Sequence, residues 1–210
     1  MKVQKIKVQV PCIDQTERWP TGCESVSAVM LLHSLGIEIE VDDFIGRYLT
    51  CHPLIRRGEQ LTGPDPRRFF AGSPYDPDAM GCYAPVIKDA LRRCLDERED
   101  AEGWAVEDLT GVSMERICAE YLDRGRAVVF WACIDMKEPV SGPSWTLEGT
   151  GETFTWISNE HCMLLVGYDD ACYYFNDPWN HHGLIGYERK LVEERHLAQH
   201  AMAVTAYRRN

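Results

Sequence analysis

The feature that most constrains the fold is a helix-forming segment, residues 22–35, that is apolar on nearly every side. Its apolar side chains surround the whole helix: Val26, Ala28, Val29, Met30, Leu31, Leu32 and Leu35. Gly36 follows as a C-terminal cap. A helix of this kind must be covered by other elements, so we expect it to run through the middle of the protein.

A cysteine, Cys23, lies at the start of this helix. Thr21 and Glu24 match a Thr-x-x-Glu capping box, which predicts that the helix begins within a residue or two of Cys23. A thiol there lies at the positive end of the helix dipole, which lowers a pKa of about 8.5 by less than about one unit. We therefore expect a nearby base to complete the activation of the thiol, and solvent access to the helix to be concentrated at this end.

The composition limits the classes of protein and partner. With 210 residues, 45% hydrophobic and 26% charged, the chain is expected to form one domain, 1–210, with two lobes. The net charge of -11 repels phosphate backbones and anionic membranes, so neither nucleic acid nor a membrane is an expected partner. Nine cysteines without a compact spacing pattern indicate a reduced protein. With no signal peptide or transmembrane stretch visible, we expect a cytoplasmic protein as the sequence stands, and an extracellular one if a leader was removed.

The order of predicted elements indicates an α+β fold. In the first half we predict a strand that alternates from Lys5, helices over 42–48, 85–95 and 114–123, and a long Gly- and Pro-rich loop over 58–85. In the second half we predict strands over 127–134, 161–168, 171–177 and 203–207, a helix over 188–199, and a second Gly/Pro loop with Trp145 and Trp156. A helical lobe would then pack against an antiparallel sheet, with the site between them.

The two strands over 161–177 flank an Asp-Asp turn, which is a hairpin signal. A three-residue loop, 168–170, would place His161 directly across from Asp177 on the same face of the sheet. A two-residue loop would send Asp177 to the opposite face, because successive strand side chains alternate. A site built from both residues therefore requires an odd-length loop or a bulge.

These residues suit acyl transfer through a thioester. The Cys23 thiolate would attack a carbonyl carbon, His161 would hold the thiol proton and return it to the leaving group, and Asp177 would orient the imidazole. The developing oxyanion needs donors, for which the backbone N–H of Cys23 and the side-chain amide of Gln15 are candidates. This chemistry requires no metal and no cofactor.

The chain resembles a known family in five segments: Val10-Pro11-Cys12-Ile13-Asp14-Gln15, Pro20-Thr21-Gly22-Cys23-Glu24, Gly81-Cys82-Tyr83-Ala84-Pro85-Val86-Ile87, Glu160-His161 and Asn176-Asp177-Pro178. It is similar to papain-fold cysteine peptidases related to the bacteriocin-processing, double-glycine peptidases, family thirty-nine of the cysteine peptidases, in a stand-alone bacterial form. The resemblance implies a papain-like fold, a peptide or protein substrate and no obligate partner. It also implies Cys23 as nucleophile, His161 as base, Asp177 as third member and Gln15 as oxyanion donor.

Several alternatives stay open at this stage. Cys82 also precedes a predicted helix and is a rival nucleophile, and Asn176 could replace Asp177 as the orienting residue. His181 and His182 lack partners at the spacing of a structural zinc site. The same triad also supports amide transfer or deamidation, and the scaffold could instead be a non-enzymatic peptide-binding module.

Overall fold

The computed structural model describes residues 5–209. The helices of this part are α1 (Cys23–Ser34), α2 (Val41–Tyr48), α3 (Ala84–Asp96), α4 (Met114–Glu120) and α5 (Arg189–Ala198). The strands are β1 (Cys51–His52), β2 (Ile55–Arg57), β3 (Gln60–Gly63), β4 (Phe70–Ala71), β5 (Trp104–Asp108), β6 (Val128–Cys133), β7 (Ser141–Leu147), β8 (Thr153–Ile157), β9 (Glu160–Tyr168), β10 (Cys172–Asp177), β11 (Gly183–Glu188) and β12 (Ala203–Arg208). The predicted α+β class is confirmed.

A six-stranded sheet in the order β11-β10-β9-β6-β12-β5 forms the centre, and every neighbouring pair in it is antiparallel. Strand β6 is buried along its whole length because it is a continuous apolar run with helices on both faces of the sheet. Alternate residues of β9 serve two cores. Cys162 and Leu164 pack in the core that contains α1, whereas Met163 and Leu165 pack in the core that contains α4.

Helix α1 is the most buried helix of the fold, since every residue from Cys23 to Leu32 is buried. The central position predicted from its apolar circumference is confirmed. The predicted distribution of solvent access is wrong: Cys23 is only 6% exposed, and the partly exposed residues lie at the other end, from His33 onward.

The predicted capping box does not form, although the helix begins at Cys23 as expected. The N-cap residue is Gly22, which makes no side-chain cap. Thr21 instead donates its hydroxyl to the carbonyls of Ser73 and Asp76. Glu24 turns into the protein, where it accepts the backbone N–H of Cys82. Tertiary contacts therefore replace the local cap.

The two regions predicted as Gly/Pro loops contain three of the four strands of a second sheet, and β2 lies directly before the first of these regions. The strands of this sheet have the order β2-β3-β7-β8. Trp145 on β7 and Trp156 on β8 are buried, and they join Tyr83 and Phe154 in an aromatic cluster. Burial of these large rings orders a segment whose glycines and prolines indicated only loop.

The predicted N-terminal strand is reduced to one bridge. Residues 1–4 lie outside the described residues, and from Lys5 onward only Ile6 pairs, with Gly167. Gly167 is required at this crossing, because a Cβ there would lie 2.1 Å from the Lys5 carbonyl oxygen.

The remaining sequence predictions concern the cysteines and the membrane. All nine cysteines lie within residues 5–209 and are free thiols, and six of them are buried. No helix among the described residues combines the length and the apolar character that a membrane crossing requires.

Candidate active site

The start of α1 and the start of β9 line one cavity of about 350 Å³. Its walls include three of the four residues predicted from the sequence, Gln15, Cys23 and His161. The other lining residues are Pro20, Thr21, Pro77, Asp78, Ala79, Met80, Ile134, Pro143, Trp156, Ser158, Glu160 and Trp179. The fourth predicted residue, Asp177, lies behind His161.

A β-bulge places His161 and Asp177 on the same face of the sheet. Next to the turn, Tyr168 pairs with Tyr173, and beyond the bulge Leu164 pairs with Asn176. Val166 is the extra residue on β9, and its carbonyl accepts the backbone N–H groups of Lys7 and Val8. The predicted direct pairing of His161 with Asp177 is wrong in register, but the predicted need for a bulge is confirmed. The two residues meet diagonally, with His161 Nε2 2.6 Å from Asp177 Oδ1.

Asp177 is surrounded by hydrogen-bond donors. Besides His161, Oδ1 accepts the backbone N–H of Trp179 at 3.0 Å, and Oδ2 lies 2.9 Å from Nδ1 of His182 and 3.5 Å from the Tyr187 hydroxyl. Burial by itself raises the pKa of Asp177, but the hydrogen bonds and charge of His161, with those from His182 and Trp179, hold it below its ordinary value. The ionised carboxylate therefore fixes the His161 ring through Nε2, and no hydrogen bond among residues 5–209 involves the other ring nitrogen, Nδ1.

The three other polar residues that the sequence suggested near this position, Asn176, His181 and His182, each have a partner in the structure. Asn176 donates its side-chain amide to the Val10 carbonyl at 2.8 Å, so Asp177 is the residue that orients His161. His181 pairs with Asp14 at 2.9 Å, and His182 is the second imidazole on Asp177. His182 was missed as a partner of Asp177 because no motif in the sequence connects the two residues.

Cys82, the rival nucleophile, is buried next to the cavity. Its side chain is fully inaccessible, and its backbone N–H donates to Glu24 Oε1 at 2.6 Å. Its carbonyl accepts the indole N–H of Trp131. Cys82 therefore helps to position Glu24, and Cys23 is the thiol that lines the cavity.

The Cys23 thiol contacts an acid rather than the imidazole. Its Sγ donates to Glu24 Oε2 at 3.4 Å, and within the hydrogen bonds of residues 5–209 none joins it to His161. Burial raises the pKa of Cys23 well above its ordinary value, and the charges of Glu24 and Glu160 raise it further. The expectation of a pKa lowered by the helix start is wrong for this arrangement, because desolvation outweighs a dipole contribution of about 1 kcal/mol.

Glu24 and Glu160 are a pair of buried carboxyl groups that the sequence analysis did not place in the site. Burial raises the pKa of Glu24 to about 7. It also raises the pKa of Glu160 well above its ordinary value, and the charge of Glu24 adds to this. Gly81 makes room for both, since a Cβ at this residue would lie 2.5 Å from Glu24 Oε1 and 3.5 Å from Glu160 Oε2. The only sequence signal was a glutamate directly after Cys23, and the predicted capping box gave that glutamate another role.

Gln15 is held at the cavity wall by the backbone around it. Its backbone N–H donates to the Pro178 carbonyl at 2.9 Å, which ties it to the end of β10. Its Nε2 donates one hydrogen bond to the Pro20 carbonyl at 3.1 Å. An amide nitrogen has two hydrogens, so the second remains for an oxygen in the cavity.

The comparisons with known proteins agree with this architecture. The profile of the Peptidase_C39-like family matches residues 7–204. The chain belongs to this family. A crystal structure of a candidate C39-like peptidase from Bacillus anthracis superposes with a TM-score of 0.82 at 21% identity, covering 99% of this chain and all of that one, so the papain-like fold is shared.

A curated relative is the uncharacterized protein YvpB of Bacillus subtilis strain 168. The two are 26% identical over 167 residues, which cover 76% of this chain and 59% of YvpB. The chain thus spans about three fifths of the length of this relative.

Proposed function

We propose that the protein is a cysteine peptidase that hydrolyses peptide bonds through Cys23, His161 and Asp177. The observation that carries the proposal is the short contact between His161 Nε2 and Asp177 Oδ1 behind a cavity that Cys23 and Gln15 also line. Family membership supports the same chemistry at the level of the scaffold.

The reaction would begin with transfer of the Cys23 proton to Nδ1 of His161. The thiol must first leave Glu24 Oε2, which it contacts in the structure. The thiolate then attacks the peptide carbonyl, while the backbone N–H of Cys23 and Nε2 of Gln15 stabilise the oxyanion. His161 returns the proton to the leaving amine as a thioester to Cys23 forms. The same imidazole then takes a proton from water, the water attacks the thioester carbonyl, and cleavage of the carbon–sulfur bond releases the acid product and returns the proton to the Cys23 thiol. Asp177 supports the imidazolium throughout.

Substrate and compartment are part of the proposal. A peptide fits an open cavity rimmed by Trp156 and Trp179, and the net charge of -11 favours substrates that are not anionic. Nine free thiols favour a reducing compartment.

The test combines a peptide-library digest with an electrophilic peptide probe. We expect cleavage by the wild type, a loss on the order of 10³-fold or more in Cys23→Ser and in His161→Ala, and a covalent probe adduct on Cys23. Cys172→Ser is the matched control, since Cys172 is a partly exposed thiol at the far turn of the β9–β10 hairpin.

Two results would change the proposal. Absence of cleavage, with a probe adduct on Cys23 no faster than on Cys172, would reject the peptidase assignment and favour a binding module. Adding hydroxylamine to the digest traps a thioester as a hydroxamate. Products that form only when an amine acceptor is present would favour amide transfer.

A further inference from the structure

Three acidic side chains meet in the wall of the cleft. The Cys23 Sγ, one carboxylate oxygen of Glu24 and one of Glu160 all lie within 4.8 Å of one another. All three residues are buried, and in residues 5–209 neither glutamate forms a salt bridge with a lysine, arginine or histidine. Up to three negative charges would therefore share a dry site with no positive side chain to balance them.

Such a cluster can remain neutral in two ways. Each acid can keep its proton, or a cation can bind and let the acids ionise. Metal binding and proton binding compete for the same ligand atoms, and a divalent cation displaces the protons of a thiol and a carboxyl group. The distances and the hydrogen bonds of the three residues distinguish a ligand set from an accidental cluster of acids.

The distance between Cys23 Sγ and Glu24 Oε2 suits two ligands of a tetrahedrally coordinated ion. With metal–sulfur and metal–oxygen distances of about 2.3 Å and about 2.0–2.2 Å for zinc, neighbouring ligands in a tetrahedron lie about 3.5 Å apart. The distance between Cys23 Sγ and Glu24 Oε2 is 3.4 Å. The other oxygen of Glu24, Oε1, is fixed by the Cys82 backbone N–H at 2.6 Å, an outer contact of the kind that orients metal ligands.

The buried side chain of Glu160 is a second, independent observation that points to a ligand. Its residue is 7% exposed, and its Oε1 is a buried acceptor with no hydrogen-bond partner among the described residues. An orphaned buried oxygen is costly unless an ion or another donor satisfies it. Cys23 and Glu160 both line the open cavity, which provides an access route and a fourth coordination position on the side of the substrate.

We propose that Cys23, Glu24 and Glu160 form a binding site for a borderline-soft divalent cation such as Zn²⁺, with one open position toward the cleft. On binding, the Cys23 S–H bond breaks, a metal–sulfur bond forms and the proton passes to solvent. The metal then holds the sulfur beside Glu24 and Glu160, so that it cannot pair with His161 or attack a peptide carbonyl. This consequence rests on the proposed function: the metal-bound form is inactive, and removal of the ion restores cleavage.

The test titrates chelator-treated protein with Zn²⁺ by calorimetry and with Co²⁺ by absorption spectroscopy. We expect one ion per chain, a sulfur-to-cobalt charge-transfer band, and protection of Cys23 from iodoacetamide. Cys23→Ser abolishes the band, and Glu160→Gln weakens binding at least about tenfold. The controls are Cys172→Ser, at a partly exposed thiol, and Glu152→Gln, at an exposed carboxyl group; neither residue belongs to the cluster, and both variants leave binding unchanged.

Circular dichroism and thermal unfolding of each variant show whether it folds, and the wild-type titration stands even if a variant does not. Failure of the wild type to bind one ion, or binding that is unchanged in folded Cys23→Ser, overturns the site. The latter result would place the ion elsewhere, for example near His181 and Asp14. Zinc binding by a protein whose chelator-treated form cleaves no peptide would reject the proposed function alone, whereas peptide cleavage with no zinc binding would reject this inference alone.

Discussion

Two buried acidic sites of the cleft differ in what surrounds their carboxyl groups. Asp177 accepts hydrogen bonds from two imidazoles and a backbone N–H, and its pKa is lowered despite its burial. Among residues 5–209, Glu24 accepts the backbone N–H of Cys82 and the Cys23 thiol, and Glu160 forms no salt bridge; burial raises the pKa of both glutamates. Carboxyl groups that are all buried thus have pKa values shifted in opposite directions, because the hydrogen-bond donors around a buried acid decide whether its ionised or its protonated form is stable.

The largest effect is expected at the donor-rich site. Asp177→Asn keeps the size of the side chain but removes the charge that supports the His161 imidazolium and disturbs its tautomer. We expect kcat/KM for peptide cleavage to fall by roughly 10³ to 10⁴. Asp170→Asn, the same change in the exposed turn of the hairpin, is the control. A loss of less than about tenfold would mean that Asp177 does not support the base.

The acid-rich site should make stability fall as the pH rises. The pKa of Glu24 is about 7 in the folded chain and 4.5 in the unfolded chain. The stability that the protonated side chain contributes is therefore fully present below pH 4.5 and is lost as the pH rises through 7. At about 1.36 kcal/mol per pKa unit, the free energy of unfolding falls by on the order of 3 kcal/mol over this pH range.

Urea unfolding on either side of this window measures the effect, with Glu160→Gln as the comparison. Because the variant lacks the Glu160 carboxyl group, its free energy of unfolding should depend less steeply on pH than that of the wild type. A wild-type stability that rises over the same pH range, or a slope equal to that of the variant, would contradict the description of this site.

The substitution Glu160→Gln should also make the Cys23 thiol more reactive. Because the charge of Glu160 contributes to the raised pKa of Cys23, Glu160→Gln lowers that pKa. We expect iodoacetamide to label Cys23 up to about tenfold faster in the variant at alkaline pH, the effect of one pKa unit. Peptide mapping from about pH 6 to about pH 10 follows each thiol. If Glu152→Gln accelerated the reaction equally, the effect would not come from this cluster.

The smallest effect should follow loss of the second imidazole at Asp177. His182→Ala removes one donor to Oδ2, a contact of about 1 kcal/mol, and should lower kcat/KM about fivefold. His182→Gln, which can still donate, should lose less, and His181→Gln should lose nothing. Equal losses in His182→Gln and His182→Ala would indicate packing rather than hydrogen bonding.

The sequence predicted the parts of this molecule that depend on local pattern. The apolar circumference of α1 and the strand runs of β6 and β9 each specify one element, because burial is the only way to satisfy them. The contact between His161 and Asp177 was predicted on the condition of an odd-length hairpin loop or a bulge, and the structure has the bulge. The bulge register could not be predicted, because Val166 is held by the N-terminal segment rather than by the hairpin itself.

Long-range burial explains most of the errors. Glu24 had the spacing of a helix cap, but it is turned inward by Cys82, which is distant in sequence. Trp145 and Trp156 were assigned to a loop because their burial depends on residues distant in the sequence: Trp156 stacks on Tyr83, and the Trp145 indole N–H donates to the Pro64 carbonyl. The pairing of Glu24 with Glu160 has no signature in either segment alone.

The bulge in β9 has a consequence for length variation among relatives. If every residue were kept and the bulge were straightened, continuous alternation would send His161 and Asp177 to opposite faces of the sheet. A relative that lacks the residue corresponding to Val166 has no bulge to form, and the pairs Leu165–Phe175 and Leu164–Asn176 would remain, so its histidine and aspartate stay on one face. A one-residue gap at this position of an alignment is therefore compatible with the site, whereas a residue inserted elsewhere in the paired part of either strand would need a bulge of its own.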